Sequence, residues 1–177
     1  MHEAGTLQAL FRYKAWANDE LLTAMQGFDE VSHAVDRAIA IRILNHTHVV
    51  DRIFAANLRR MDHGYEAANT AELPALDELS EAIRACDQWY LGYVATLDDV
   101  DLAESLDFTF TDGAPGRMTR EEMLMHVSIH GGYHRGQVGL IMTKNAIAPP
   151  ADLFTGYLHK AEASARRRAH PPSNRTG

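Results

Sequence analysis

Three histidines recur at every fourth residue in the run His126-Val-Ser-Ile-His130-Gly-Gly-Tyr-His134-Arg135-Gly-Gln137. At helical spacing they form one stripe, with neighbouring members about one turn apart and close enough for two imidazoles to share an ion. A third imidazole from a facing helix would complete a facial set and leave coordination positions open for water or substrate. Such an open site is catalytic in character, because a bound water or thiol becomes more acidic there. His130 and His134 make the best pair, and His46 the best third ligand. His126 competes for His130, but it stands two turns, about 12 Å, from His134 and cannot share an ion with it. Spacing alone leaves the other account open, in which these rings are packed and hydrogen-bonded as ordinary core residues. A zinc-protease motif is excluded, since His-Gly-Gly-Tyr-His has glycine where the general-base glutamate would stand.

These side chains need helices to carry them. The stripe Ile39, Ile43, His46, Val50 and Ile53 steps by 4, 3, 4 and 3, so a helix predicted over about 36–62 turns His46 inward. His48 lies about 200° around that axis and belongs outside or on a flank. His33 and His63 fall near helix ends and are read as surface residues. The helix with the histidine run opens on Thr119-Arg-Glu-Glu122, a capping box, and presents Met123, Val127, His130, His134, Val138 and Ile141 inward. Glycines 131, 132, 136 and 139 each weaken that helix by about 1 kcal/mol, which implies a close approach by another helix or a ligand.

A first helix is predicted over 6–26 on Leu7, Leu10, Ala17, Leu21 and Ala24, with Trp16 beside the stripe as a packed aromatic or a pocket wall. A third, over 75–97, turns Cys86 inward as a buried thiol with no base partner to make it a nucleophile. Leu106, Phe108 and Phe110 then alternate with polar residues before the turn Asp112-Gly113, predicting a short hairpin or extended insertion over the open end of a bundle. A fifth helix over 151–168 follows Pro149-Pro150, and 169–177 reads as a disordered tail. The expected class is all-α, a single domain over 1–168.

The net charge of −7 argues against nucleic-acid binding, and Arg166-Arg167-Arg168 is read as a solvated helix end. No apolar run approaches the roughly 18 residues of a membrane span. With no export signal at Met-His-Glu-Ala-Gly and a single cysteine, a cytoplasmic protein is expected.

Leu44-Asn45-His46-x-x-x-x-Asp51-Arg52-Ile53, followed by His130-x-x-x-His134-Arg135-Gly136-Gln137, resembles the DinB/YfiT-like metalloenzymes. Tyr13-x-x-Trp16-Ala17-Asn18 matches that family's opening signature, and the likeness covers about residues 6–160. The resemblance implies an up-down-down-up four-helix bundle with an added helix, usually a homodimer. It also implies a divalent metal on His46, His130 and His134. Zinc is the first choice and nickel the second, since three neutral imidazoles suit either. Some relatives transfer low-molecular-weight thiols, so the expected activity is thiol transfer to an electrophilic small-molecule substrate. Metal-dependent hydrolysis and a non-catalytic metal- or ligand-binding stress-response bundle are the alternatives. Trp16, His126, Arg135 and Gln137 are the pocket candidates. Arg135 or Gln137 would orient an arm of the thiol, although Arg135, about 100° from His134, suits a structural pairing equally well.

Overall fold

The protein is described by a computed structural model over residues 3–166. Its chain runs through helices α1 (Glu3–Met25), α2 (Ala34–Leu58), α3 (Leu76–Ala95) and the short α4 (Asp99–Ala103). A hairpin of β1 (Ser105–Thr109) and β2 (Pro115–Thr119) follows, then α5 (Arg120–Lys144), α6 (Phe154–Ala161) and α7 (Ala163–Arg166). The expected tail, 169–177, lies outside the described residues.

Local chemistry sets the boundaries. At the start of α5 the Thr119 side chain accepts the Glu122 N–H, and the Glu122 carboxylate accepts the Thr119 N–H at 2.7 Å. That reciprocal pair satisfies two of the donors every helix start leaves open. Helix α2 stops at Leu58, four residues short of the predicted end, because Arg60 turns into the left-handed region at φ 56°. α4 was not foreseen; Asp98 caps it by accepting from Val100 and Asp101. The predicted fifth helix is interrupted at Glu162 and is two short pieces, α6 and α7.

Side-chain bonds fix the direction of each long helix. Gln8 reaches Val94, Asn18 reaches Asp87 and Gln26 reaches Asp77, so α1 and α3 are antiparallel. Tyr90 reaches the Asp51 carbonyl and Tyr93 that of Leu58, so α3 runs parallel to α2. Lys144 reaches Asp36 while Arg120 reaches Leu58, so α5 is antiparallel to α2. The result is an up-down-down-up four-helix bundle. No helix among the described residues is long and apolar enough to cross a membrane.

The core has two apolar halves. Leu7, Phe11, Phe54, Tyr90 and Val127 fill one; Leu21, Met25, Ile41, Ile83 and Val138 fill the other. Between them lies a charged layer. Lys14, only 1% exposed, sits 2.7 Å from both Asp51 and Asp87. Asn18 donates to Asp87, and the buried Arg135 donates to Asn18 and to Asp152. The two carboxylates hold the Lys14 ammonium above its ordinary pKa despite its burial, while burial pushes Asp51 up to about 6 against the pull of Lys14.

That layer corrects the predicted inward faces. On α2 Val50 and Ile53 are buried as expected, but so are Ile41, Leu44, Asp51, Phe54 and Leu58, while Ile39 is exposed. On α5 the buried side runs through Val127, Gly131, Arg135, Val138 and Met142. His46, His130 and His134 are therefore half-buried, on the flanks of these faces. The glycines divide likewise. A Cβ at Gly131 would meet Lys14 Cε at 3.4 Å and Arg135 at 3.3 Å, and one at Gly139 would meet Pro149 at 3.5 Å. At Gly136 nothing among the described residues lies within 4 Å, so close approach by them does not account for that glycine.

In the hairpin Phe108 pairs with Gly116, and a Cβ there would stand 2.5 Å from the Phe108 ring. Glycine lets the ring lie across the neighbouring strand. The ring then leans toward Phe54 of α2, at a centroid distance of 6.4 Å.

Candidate metal centre

Because α2 and α5 are antiparallel neighbours, the flank carrying His46 faces the flank carrying His130 and His134. The Nε2 atoms of His46 and His130 stand 3.2 Å apart, and those of His130 and His134 3.0 Å. All three residues offer a ligand atom within 4.8 Å of one another. Nitrogens bound to one ion at about 2.0–2.1 Å, at angles between square and tetrahedral, are about 2.9–3.4 Å apart, so the two short separations fit a shared divalent cation.

Protons support the fit. His46 Nδ1–H donates to the Ala68 carbonyl at 2.8 Å, and His134 Nδ1–H donates to Gln137 Oε1 at 2.7 Å. Each bond places the ring's proton on Nδ1 and leaves Nε2 as a bare lone pair aimed at the other rings. Such outer partners orient and strengthen metal-ligating histidines. Burial, then the His134 and His46 rings, press His130 down to about 3, and burial lowers His134 too, so those two rings favour the neutral form that can coordinate. Lone pairs converging at 3 Å repel unless a proton or a cation lies between them. This donor set is compatible with a divalent metal.

Four further histidines fall elsewhere. His126 is exposed and stacks on His130, centroids 5.3 Å apart, and on Phe54 at 4.6 Å. His48 is half-buried on a flank of α2, where burial pushes it down to about 4. His33 and His63 are half-buried, each accepting a backbone N–H, from Asp29 and Tyr65 respectively.

The pocket candidates separate. Gln137 and His126 adjoin the cluster. Arg135 points the other way, into the charged layer, with its Nε 2.8 Å from Asp152. Trp16 packs on Tyr157 and Tyr13, at 5.5 and 6.1 Å, against the C-terminal segment. Cys86 is buried and pushed up to about 12 by that burial, as expected of an inert thiol.

Sequence reasoning missed the charged layer, although its signal was present. Leu7, Phe11, Lys14, Asn18, Leu21 and Met25 step by 4, 3, 4, 3 and 4, with two polar residues mid-stripe. It also missed Ala68, whose carbonyl comes from the loop after α2 and has no side-chain signature.

The sequence model of the DinB family matches residues 1–169. No curated protein matches the chain, and no solved structure does.

Proposed function

Since the chain belongs to the DinB family, we propose that it is a divalent-metal enzyme that transfers a low-molecular-weight thiol to an electrophilic small molecule. The observation that carries this reading is the convergence of three imidazole Nε2 atoms from two helices, two of them on rings whose Nδ1–H is held by an outer acceptor. An ion held there, zinc by preference, supplies the Lewis acidity that lowers the pKa of a ligating thiol.

The chain's own residues limit the chemistry around it. Gln137 and the Ala68 carbonyl hold the His134 and His46 rings in the coordinating tautomer. The only cysteine, Cys86, is buried with a raised pKa, so the thiol must be a co-substrate. In the transfer, the sulfur's electron pair forms the bond to the electrophilic carbon, the leaving group departs with its bonding pair, and the thiol proton passes to solvent. Hydrolysis is less well supported. Asp51, the carboxylate nearest His46 along α2, is buried against Lys14, and the donor cluster includes no carboxylate among the described residues.

The test is elemental analysis of untagged protein, paired with conjugation of monochlorobimane to common bacterial thiols. Wild type should carry one divalent ion per chain, and His46→Ala, His130→Ala and His134→Ala should each lose it together with conjugation. Full metal content in all three variants would overturn the metal centre. A metal-loaded protein inactive with every thiol would overturn the transfer.

We further propose that the chain forms a homodimer in the cytoplasm. The supporting feature is an exposed apolar stripe on α5, with Ile129 and Tyr133 each 65% exposed and Leu140 72%.

A further inference from the structure

Beside the imidazole cluster, between α2, α5 and the hairpin, lies a cavity of about 220 Å³. Ring contacts give it a direction. Phe110 leans on Phe108 at 4.8 Å, Phe108 on Phe54 at 6.4 Å, Phe54 on His126 at 4.6 Å and His126 on His130 at 5.3 Å. All five rings line the cavity, so an aromatic row leads from the hairpin to a ring of the candidate metal centre. Among the described residues its lining includes no Lys, Arg, Asp or Glu.

Asn57 lies about one helical turn beyond Phe54 on α2, on the side away from His46. It lines the same cavity, is 7% exposed, and its buried Nδ2 has no hydrogen-bond partner among the described residues. A buried amide N–H without a partner is unfavourable, and a bound acceptor would supply that partner. The arrangement favours a ligand with an oxygen at that point. Eleven residues of α2 separate Asn57 from His46, a rise of about 16 Å at 1.5 Å per residue.

We propose that this cavity is the substrate subsite of the metal centre. It takes an elongated, mainly aromatic or alkyl molecule with a neutral carbonyl oxygen at the end remote from the reacting atom, held by Asn57 Nδ2. The oxygen is neutral because, among the described residues, no Lys or Arg lines the cavity to match a carboxylate. Gly116 is the positioning residue, since it leaves room for the Phe108 ring that forms the hairpin wall. The proposal rests on reading the three imidazoles as a metal centre.

The test uses two probes of nearly the same shape, acetophenone and the hydrocarbon α-methylstyrene, titrated by NMR into full-length protein, metal-free and zinc-loaded. Wild type should prefer acetophenone by about ten-fold in both states, the worth of one buried hydrogen bond. Asn57→Leu, similar in shape, should abolish the preference and keep hydrocarbon binding. Asn57→Asp, which replaces the donor with an acceptor, should disfavour the ketone. Gly116→Val should weaken both probes by displacing Phe108. A preference that survives Asn57→Leu and Asn57→Asp, or equal or absent binding of both probes to wild type, overturns the subsite. Zinc content is measured on the same samples. A protein that takes up zinc yet shows no Asn57-dependent preference refutes the subsite alone. One that shows the preference but takes up no zinc refutes the metal centre on which the subsite's role depends.

Discussion

Two of the three converging rings are aimed by the nitrogen that does not face the cluster. For His134 that aim depends on one amide, so Gln137→Leu should lower zinc affinity about 10- to 100-fold in a chelator competition while the fold is retained. The charged layer gives a prediction of opposite character. Lys14→Met leaves Asp51 and Asp87 buried without their cation and should destabilise the protein by about 3–5 kcal/mol at neutral pH, measured by urea unfolding. Its pH dependence has a definite sign. Asp51 already sits at about 6 with Lys14 present, above its unfolded value, and losing Lys14 raises it further. A carboxyl with a raised folded pKa binds more protons folded than unfolded, so its favourable contribution is present at low pH and is lost as pH rises through the folded pKa. The gap between variant and wild type should therefore narrow from pH 8 to pH 5. The histidines were legible in the sequence because their spacing is periodic. The burial of Lys14 was not, because charge is buried only where other helices supply partners, and Asp51 and Asp87 lie 37 and 73 residues away.

Among the elements, α5 carries two of the three rings, and its start is specified locally. Thr119→Ala removes one half of the capping box and should lower stability by about 1 kcal/mol in thermal or chemical unfolding. That start and the hairpin could be read in advance because capping and strand alternation are short-range signals. The rotation of the helices could not. A stripe of apolar residues gives a face to within about a residue, and Arg135 at the centre of the buried side displaced the histidines to its flank. That displacement keeps the rings half-exposed and open to a small molecule. The same limit applies to α2, whose early end reflects the left-handed turn at Arg60.

For the molecule as a whole, the exposed stripe on α5 predicts the assembly state. Ile129→Glu with Leu140→Glu should turn a homodimer into a monomer in light scattering while zinc content stays unchanged. The up-down-down-up order was expected from family likeness and is fixed in the structure by bonds between helices distant in sequence. The layer at mid-height has a mechanical consequence. Smooth oily rods can slide past one another by a turn at little loss, but here a slip of about 5.4 Å would strand Lys14 away from both its anions. Mid-bundle charge thus keys the rods to a single alignment, and it is this keying that brings imidazoles from separate rods to the same height.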